Sequence, residues 1–360
     1  MSRIAFYAPM KPADDPVPSG DRTVARALIA ALGGLGEVWA ASRLRSRDGA
    51  GDARAQDAIF DAAEAEIKRL RRLDPLALWL TYHSYYKAPD LLGPALSRRW
   101  RIPYVQVEAT RARKRLEGPY ARFAAAAEAA CDTARLVFHF TEHDREALER
   151  YRPAGQRIMR LRPFLARETL DPEPRRRQGG ALRLLAVGMF RTRDKLDSYA
   201  ALADALALVV TERWQMTIAG DGPERKAVEG LFARFGERVV LAGQLGPAEM
   251  RDIYRNADLL VWPGVGEAFG MAYLEAQAEG CPVLAEDRPG VRDVVRAGGW
   301  LTPQGDAAAY AAAIDRLAAS PDALLEAGRR ARAQIKADHL LPAARATLAA
   351  GLSPLLEARS

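Results

Sequence analysis

Two glutamates separated by seven residues, Glu267 and Glu275, stand on either side of a junction between a glycine-rich turn and a helix. A carboxylate accepts two hydroxyl hydrogen bonds at once, which suits a sugar or a ribose diol. The turn, Pro-Gly-Val-Gly ahead of Glu267 and Phe269-Gly270-Met271 behind it, points backbone N–H groups outward at a helix N-terminus, where an anion such as a diphosphate is favoured. Glu267 falls on the loop and Glu275 about two turns into the helix. One ligand meets both only if it is long, and a nucleotide-sugar has that length.

Other residues extend the same chemistry. Lys195 follows the strand-end glycine Gly188, with Arg191 and Arg193 between them. Gly220-Asp221-Gly222-Pro223 is primarily a turn. In the first half, His83 and Glu108 each follow an apolar run that reads as a strand, and carboxyl ends of strands are where sheets of this class place ligands. Glu108 has a second reading, pairing with Arg111 or Arg113 and only shaping its loop. No Asp-x-Asp occurs, so charge on a leaving diphosphate falls to Lys195, an arginine and the helix N-terminus.

This set resembles family 4 of the retaining glycosyltransferases, whose fold is GT-B: two Rossmann-like domains facing across a cleft. Glu267, Glu275 and Phe269-Gly270 carry the resemblance most strongly. It implies that Glu267 meets the donor sugar and Glu275 the ribose. The backbone N–H groups of Phe269, Gly270 and Met271 would meet the diphosphate. Gly188 and Lys195 match the family's glycine loop with a phosphate-binding lysine, and Gly20 matches its N-terminal glycine loop. Met189 stands where the family often has arginine, a charge that Arg191 or Arg193 would replace, and Leu196 stands where it usually has glycine. Glu108 stands near the family's frequent histidine, next to the transferred sugar. The resemblance covers the second half almost throughout and the first half in layout only. It implies retention of anomeric configuration.

The remaining sequence sets bounds. The chain has 360 residues, 49% hydrophobic, enough for two domains with their own cores. The net charge of +7 fits an anionic ligand, an acidic membrane surface or nucleic acid, and fits an arginine-rich surface without meaning as well. With the site residues above, the expected partners are a nucleotide-sugar donor and an unidentified acceptor, a glycan or lipid-linked molecule among them, with peripheral membrane contact and no nucleic acid. Cys131 and Cys281 show no ligand spacing, and no metal or other cofactor is expected. His139 and His143 have metal-like spacing, yet the stretch reads as a strand end with Thr141 capping a helix. The basic run Arg111 to Arg115 reads as a solvated face. No apolar run long enough for a signal peptide or a bilayer span is present, so a cytoplasmic protein at most touching the inner face of a membrane is expected.

The elements that must position these residues alternate short β-rich runs with Ala/Leu/Arg-rich helical stretches, the pattern of parallel sheets with crossover helices. Expected strands in the first half are Ile4–Ala8, Glu37–Ala41, Leu76–Thr81, Ile102–Val107 and Arg135–Phe140. Asp21 reads as the N-cap of a helix over Arg22–Leu32. The Pro/Gly-rich stretch after Ala166 marks a linker. The division is then 1–165 as an acceptor-side domain, 166–181 as linker, 182–340 as a nucleotide-sugar-binding domain and 341–360 as a helical segment near the domain junction. In the second domain, helices are expected over Ser198–Val210 and Phe269–Glu279, with Pro342 and Pro354 punctuating the C-terminal third. The function expected is metal-independent transfer of a sugar from a nucleotide-diphosphate donor. A sugar-nucleotide epimerase or hydrolase on the same fold stays open, as does a nucleotide-sugar-binding subunit without chemistry. A dinucleotide-dependent dehydrogenase is disfavoured, because no Gly-x-Gly-x-x-Gly follows the first strand.

Overall fold

The computed structural model describes residues 3–17, 19–73, 76–173 and 179–357. The chain divides into two compact units, residues 1–168 with 341–360 and residues 169–340. Part of the expected linker, residues 174–178, lies outside the described residues.

The first unit runs β1 (Arg3–Tyr7), α1 (Gly20–Leu32), β2 (Glu37–Ala40), α2 (Ala53–Leu70), β3 (Leu78–Tyr82), α3 (Gly93–Trp100), β4 (Tyr104–Val107), α4 (Ala121–Thr133), β5 (Leu136–His139), α5 (Glu142–Arg150) and β6 (Arg157–Arg160). The strands form one parallel sheet in the order β2-β1-β3-β4-β5-β6. β3, β4 and β5 are buried along their whole length, as parallel strands covered on both faces must be.

The second unit runs β7 (Leu182–Val187), α6 (Asp194–Leu206), β8 (Trp214–Ala219), α7 (Arg225–Phe232), β9 (Val239–Gly243), α8 (Pro247–Asn256), β10 (Leu259–Val261), α9 (Met271–Ala278), β11 (Val283–Glu286), α10 (Pro289–Val294), β12 (Gly299–Thr302), α11 (Ala307–Ala318) and α12 (Pro321–Asp338). Its parallel sheet has the order β12-β11-β10-β7-β8-β9. The last helix, α13 (Leu341–Glu357), belongs to the first unit and packs on α1.

Several expectations change. Asp21 is not the N-cap of α1: Ser19 is, its Oγ accepting from the Arg22 amide at 3.2 Å, and Asp21 falls in the first turn. α6 starts at Asp194 rather than Ser198, because Asp194 and Asp197 supply the negative charge a helix N-terminus favours. Lys195 therefore projects from a helix, not a loop. Pro354 does not interrupt α13; it sits inside the helix near its end, where only one backbone bond is lost. β6 and β12 carry too little apolar periodicity to stand out, since their residues are half-buried or exposed except for Thr302. Among the described residues no helix is long and apolar enough to cross a membrane.

Candidate functional site

In the second unit, β7 and β10 are neighbours, so the loops leaving their carboxyl ends lie side by side. The β7 loop begins at Gly188, whose N–H donates to the Ala219 carbonyl at 3.1 Å. The β10 loop begins at Trp262. Lys195, on the first turn of α6, forms an ion pair with Oε1 of Glu267 on the β10 loop. The Trp262 indole N–H donates to the same oxygen at 3.1 Å, and the Lys195 ammonium lies 5.5 Å from the Trp262 ring centroid. The lysine and glutamate side chains are 25% and 16% exposed, so the pair is partly dry yet open on one side.

Backbone geometry holds this arrangement. Ser198 Oγ donates to the Asp194 carbonyl at 2.7 Å and accepts from the Val265 amide at 2.9 Å, tying α6 to the glycine-rich loop. Gly266, at φ 64°, touches Asp194: a Cβ there would come 2.4 Å from its Cγ. Gly290, in α10, packs so closely on the loop that a Cβ would meet the Ala268 carbonyl oxygen at 1.3 Å. Gly270 then precedes α9, which begins at Met271, and Phe269 is buried beneath the turn. Glu275 sits on α9 away from the pair. Its Oε2 accepts from the buried Tyr254 hydroxyl on α8 at 3.0 Å. Burial pushes the Glu275 carboxyl above its ordinary value, and the Tyr254 hydrogen bond opposes that rise. Arg191 and Arg193 are exposed on the β7 loop and form no ion pair among the described residues; Arg193 has φ 62°.

In the first unit, β3 and β4 run in register with Tyr82 opposite Val107, so the next residues, His83 and Glu108, emerge together. Each continues the sheet by one bond: the His83 amide donates to Val107 at 2.9 Å, and the Glu108 amide to Phe138 at 2.8 Å. Both have φ 57°, a left-handed conformation uncommon for residues other than glycine. His83 Nδ1 lies 2.8 Å from Asp21 Oδ1 and 3.9 Å from Glu108 Oε2. Burial opposes the His83 cation, but Glu108 and Asp21 outweigh it and raise its pKa to about 9. Burial pushes Glu108 up to about 7, with His83 pulling it down and Asp21 and Asp144 adding to the rise. Glu108 is 7% exposed, and its Oε2 has no hydrogen-bond partner. Gly20 is the first residue of α1, with open space where a Cβ would stand.

The arginine partners expected for Glu108 go elsewhere. Arg111 is buried rather than solvated, pairing with Glu128 and Asp132, both at 2.6 Å, because α4 turns those acids toward it. Arg113, Lys114 and Arg115 are exposed, and Arg113 comes within 3.9 Å of Glu128. His139 is buried, its Nδ1 3.0 Å from the Thr141 carbonyl, while Thr141 caps α5 by accepting from the Asp144 amide at 3.2 Å. A cavity of about 460 Å³ lined by Leu182, Arg213, Asp258, Pro282 and Leu324 opens at the amino ends of β7, β10 and β11, opposite to the ends that carry Lys195 and Glu267.

Sequence reasoning missed two members of these groups. Trp262 could have been found as a strand-end tryptophan ahead of Pro-Gly. Asp21 was hidden behind its apparent capping role.

Comparison with known proteins fits this geometry. Residues 181–320 match the family described as Glycosyl transferases group 1. The D-inositol 3-phosphate glycosyltransferase of Thermobispora bispora is 30% identical over 272 residues, covering 67% of this chain and 63% of that protein. Its counterpart in Geodermatophilus obscurus is 32% identical over 281 residues, 70% of this chain and 62% of that one. The chain thus spans less than two thirds of the length of these curated relatives. Among solved structures, the sucrose-phosphate synthase from Thermosynechococcus elongatus superposes over 100% of both chains with a TM-score of 0.72 at 20% identity. HepE from Anabaena, in complex with UDP-glucose, superposes over 98% of this chain and 100% of its own with a TM-score of 0.69 at 15% identity. Residues 181–320 thus match the group 1 glycosyltransferases, and the chain has the GT-B fold of these solved structures.

Proposed function

We propose that this protein transfers a glycosyl group from a nucleoside-diphosphate sugar to a hydroxyl acceptor, with the donor held by the second unit and the acceptor by the first. The observation that carries this reading is the Lys195–Glu267 ion pair, braced by Trp262 at a glycine-rich junction of strand and helix. The lysine is already in place to meet an anion, and its charge is satisfied by Glu267 until one arrives. A donor diphosphate at the N-terminus of α9 would draw Lys195 toward it and leave Glu267 to accept sugar hydroxyls. Glu275 would hold the ribose. As the bond between the anomeric carbon and the phosphate oxygen breaks and the acceptor hydroxyl oxygen bonds to that carbon, the electron pair goes to the diphosphate, which takes up the hydroxyl proton, and Lys195, Arg191 or Arg193 and the helix N-terminus balance the remaining charge without a metal. The HepE structures in complex with UDP and UDP-glucose support a uridine donor.

The relatives named for D-inositol 3-phosphate support a phosphorylated polyol as acceptor. The first unit carries a feature consistent with it. The His83, Tyr85, Tyr86 and Tyr120 rings follow one another at centroid distances of 5.0, 5.5 and 5.2 Å. Lys87 and Arg115 lie against Tyr86 at 5.6 and 5.2 Å, and the Arg47 charge acts on the Tyr85 hydroxyl. None of these three cations forms an ion pair among the described residues. Asp48 nearby is committed to Gln56 and to the amides of Ala50 and Gly51.

The test is a product assay with UDP-, GDP- and ADP-sugars and inositol 3-phosphate or simple glycosides as acceptors. A new glycoside whose formation depends on acceptor supports the transferase. Donor consumed equally without acceptor would mean a hydrolase or epimerase, and proton NMR of the new anomeric centre would read whether configuration is retained.

A further inference from the structure

Asp21 lies in the first turn of α1, where a negative charge is favoured, but that leaves the direction of its carboxylate open. Ser19 caps α1, yet Asp21, two residues on, turns its carboxylate to His83 Nδ1 at 2.8 Å. The loop that follows β3 holds His83 with its ring 5.0 Å from that of Tyr85, tilted by 31°. Nε2, the opposite nitrogen of the same ring, forms no hydrogen bond among the described residues. Beside it, the Tyr82 hydroxyl acts on the Glu108 carboxyl, whose buried Oε2 has no donor within hydrogen-bond distance among the described residues. Two neighbouring strand ends, both at positive φ, therefore offer one free donor and one free acceptor, with Glu108 Oε2 3.9 Å from Nδ1 of the same imidazole. Strained backbone of this kind persists where the surrounding structure holds it, and it clusters at ligand sites.

We propose that Asp21 is a positioning residue: it fixes His83 as an imidazolium whose Nε2–H donates to one hydroxyl of a bound carbohydrate while Glu108 Oε2 accepts from a neighbouring one. A diol satisfies both groups at once, whereas a lone anion would satisfy the histidine and oppose Glu108. The charged and titratable groups facing His83 are Asp21 from α1, Glu108 from the end of β4, Asp144 from α5 and the Tyr82 hydroxyl from β3, with Lys11 acting on Asp21. Three carboxylates around one imidazole keep it charged through neutral pH, consistent with a His83 pKa of about 9. Removing the Asp21 charge lowers the affinity of His83 for its proton, and lowers that of Glu108 too, since Asp21 raises both. The role rests on the transferase reading; the coupling of Asp21 to His83 does not.

The experiment uses the full chain and Asp21→Asn, with Asp21→Glu as the conservative variant. The chain has only four histidines, so proton NMR follows His83 through a pH titration in the absence of substrate. In Asp21→Asn the His83 titration should move down by about one pH unit or more. The alkaline limb of kcat/KM against pH should move down with it, Asp21→Glu should return it upward, and UDP affinity should stay within about twofold. An unmoved His83 titration overturns the coupling. A moved titration with an unmoved pH profile overturns the role in turnover. A wild-type chain that binds UDP but turns over no donor overturns the transferase reading, and the role with it, while the NMR titration still decides the coupling. A variant that loses UDP binding in step with activity also overturns the proposal, because that is the mark of a merely structural residue.

Discussion

The two candidate sites are built in opposite ways. In the second unit, Lys195 stands on the first turn of α6, and Trp262, Glu267 and Gly270 lie on one continuous glycine-rich loop beside it. In the first unit, Asp21, His83 and Glu108 come from three separate places in the chain and meet only because β1, β3 and β4 are neighbours in the sheet. The first kind of site is made largely of backbone and one ion pair, the second of side-chain charge in a buried pocket. On the reading proposed above, a contiguous turn would suit the constant part of the reaction, the diphosphate, and a scattered cluster the part that changes between acceptors.

The comparison predicts that substitutions separate into two classes. The largest effect is expected from Lys195→Ala. It removes a charge-assisted contact to the diphosphate, worth roughly 1.5–3 kcal/mol, and leaves Glu267 half-buried without its cation. Donor affinity or turnover should fall by about tenfold to a hundredfold, measured by calorimetry with UDP and by initial rates. Next comes Glu108→Gln, which keeps shape and removes charge. Turnover should fall by about tenfold while donor affinity holds; a parallel loss of both would merge the two classes. Glu275→Ala should weaken binding of the nucleoside alone by several-fold. It also leaves the Tyr254 hydroxyl buried without its acceptor, so a stability loss of about 1–3 kcal/mol should appear in urea unfolding. Ser19→Ala should have the smallest effect, about 1 kcal/mol of stability from the lost cap, with the His83–Asp21 contact and turnover nearly unchanged. If Ser19→Ala instead matched Asp21→Asn in the pH profile, the cap would be what places the histidine.

The same contrast explains what could be read in advance. Both parallel sheets were legible, because buried strands such as β3 to β5 and β10 are predominantly apolar runs between turn signals. The Glu267 loop was legible because its glycines, its helix start and its acid are adjacent in the chain. The start of α6 was misplaced by four residues, since Arg193 makes no side-chain cap and nothing local announces it. Glu108 was given the wrong competing partner, because Arg111 is nearest in sequence while α4 brings Glu128 and Asp132 to it in space. Asp21 was read as a cap by its residue type, and only the register of β3 beside β1 reveals its contact with His83. Sequence distance carries backbone-built sites well and sheet-assembled ones poorly.

The central claim is that Lys195 and Glu267 form the phosphate-and-sugar end of a nucleotide-sugar site. The most direct test is calorimetric titration of the wild type and Lys195→Ala with a matched pair of ligands, uridine and UDP, repeated with guanosine and adenosine pairs if uridine fails. The account predicts that for one base the diphosphate binds the wild type at least tenfold more tightly than its nucleoside, and that Lys195→Ala abolishes most of that difference while leaving the nucleoside unchanged. Equal binding of nucleoside and diphosphate by the wild type, or an undiminished preference for the diphosphate in Lys195→Ala, would contradict it.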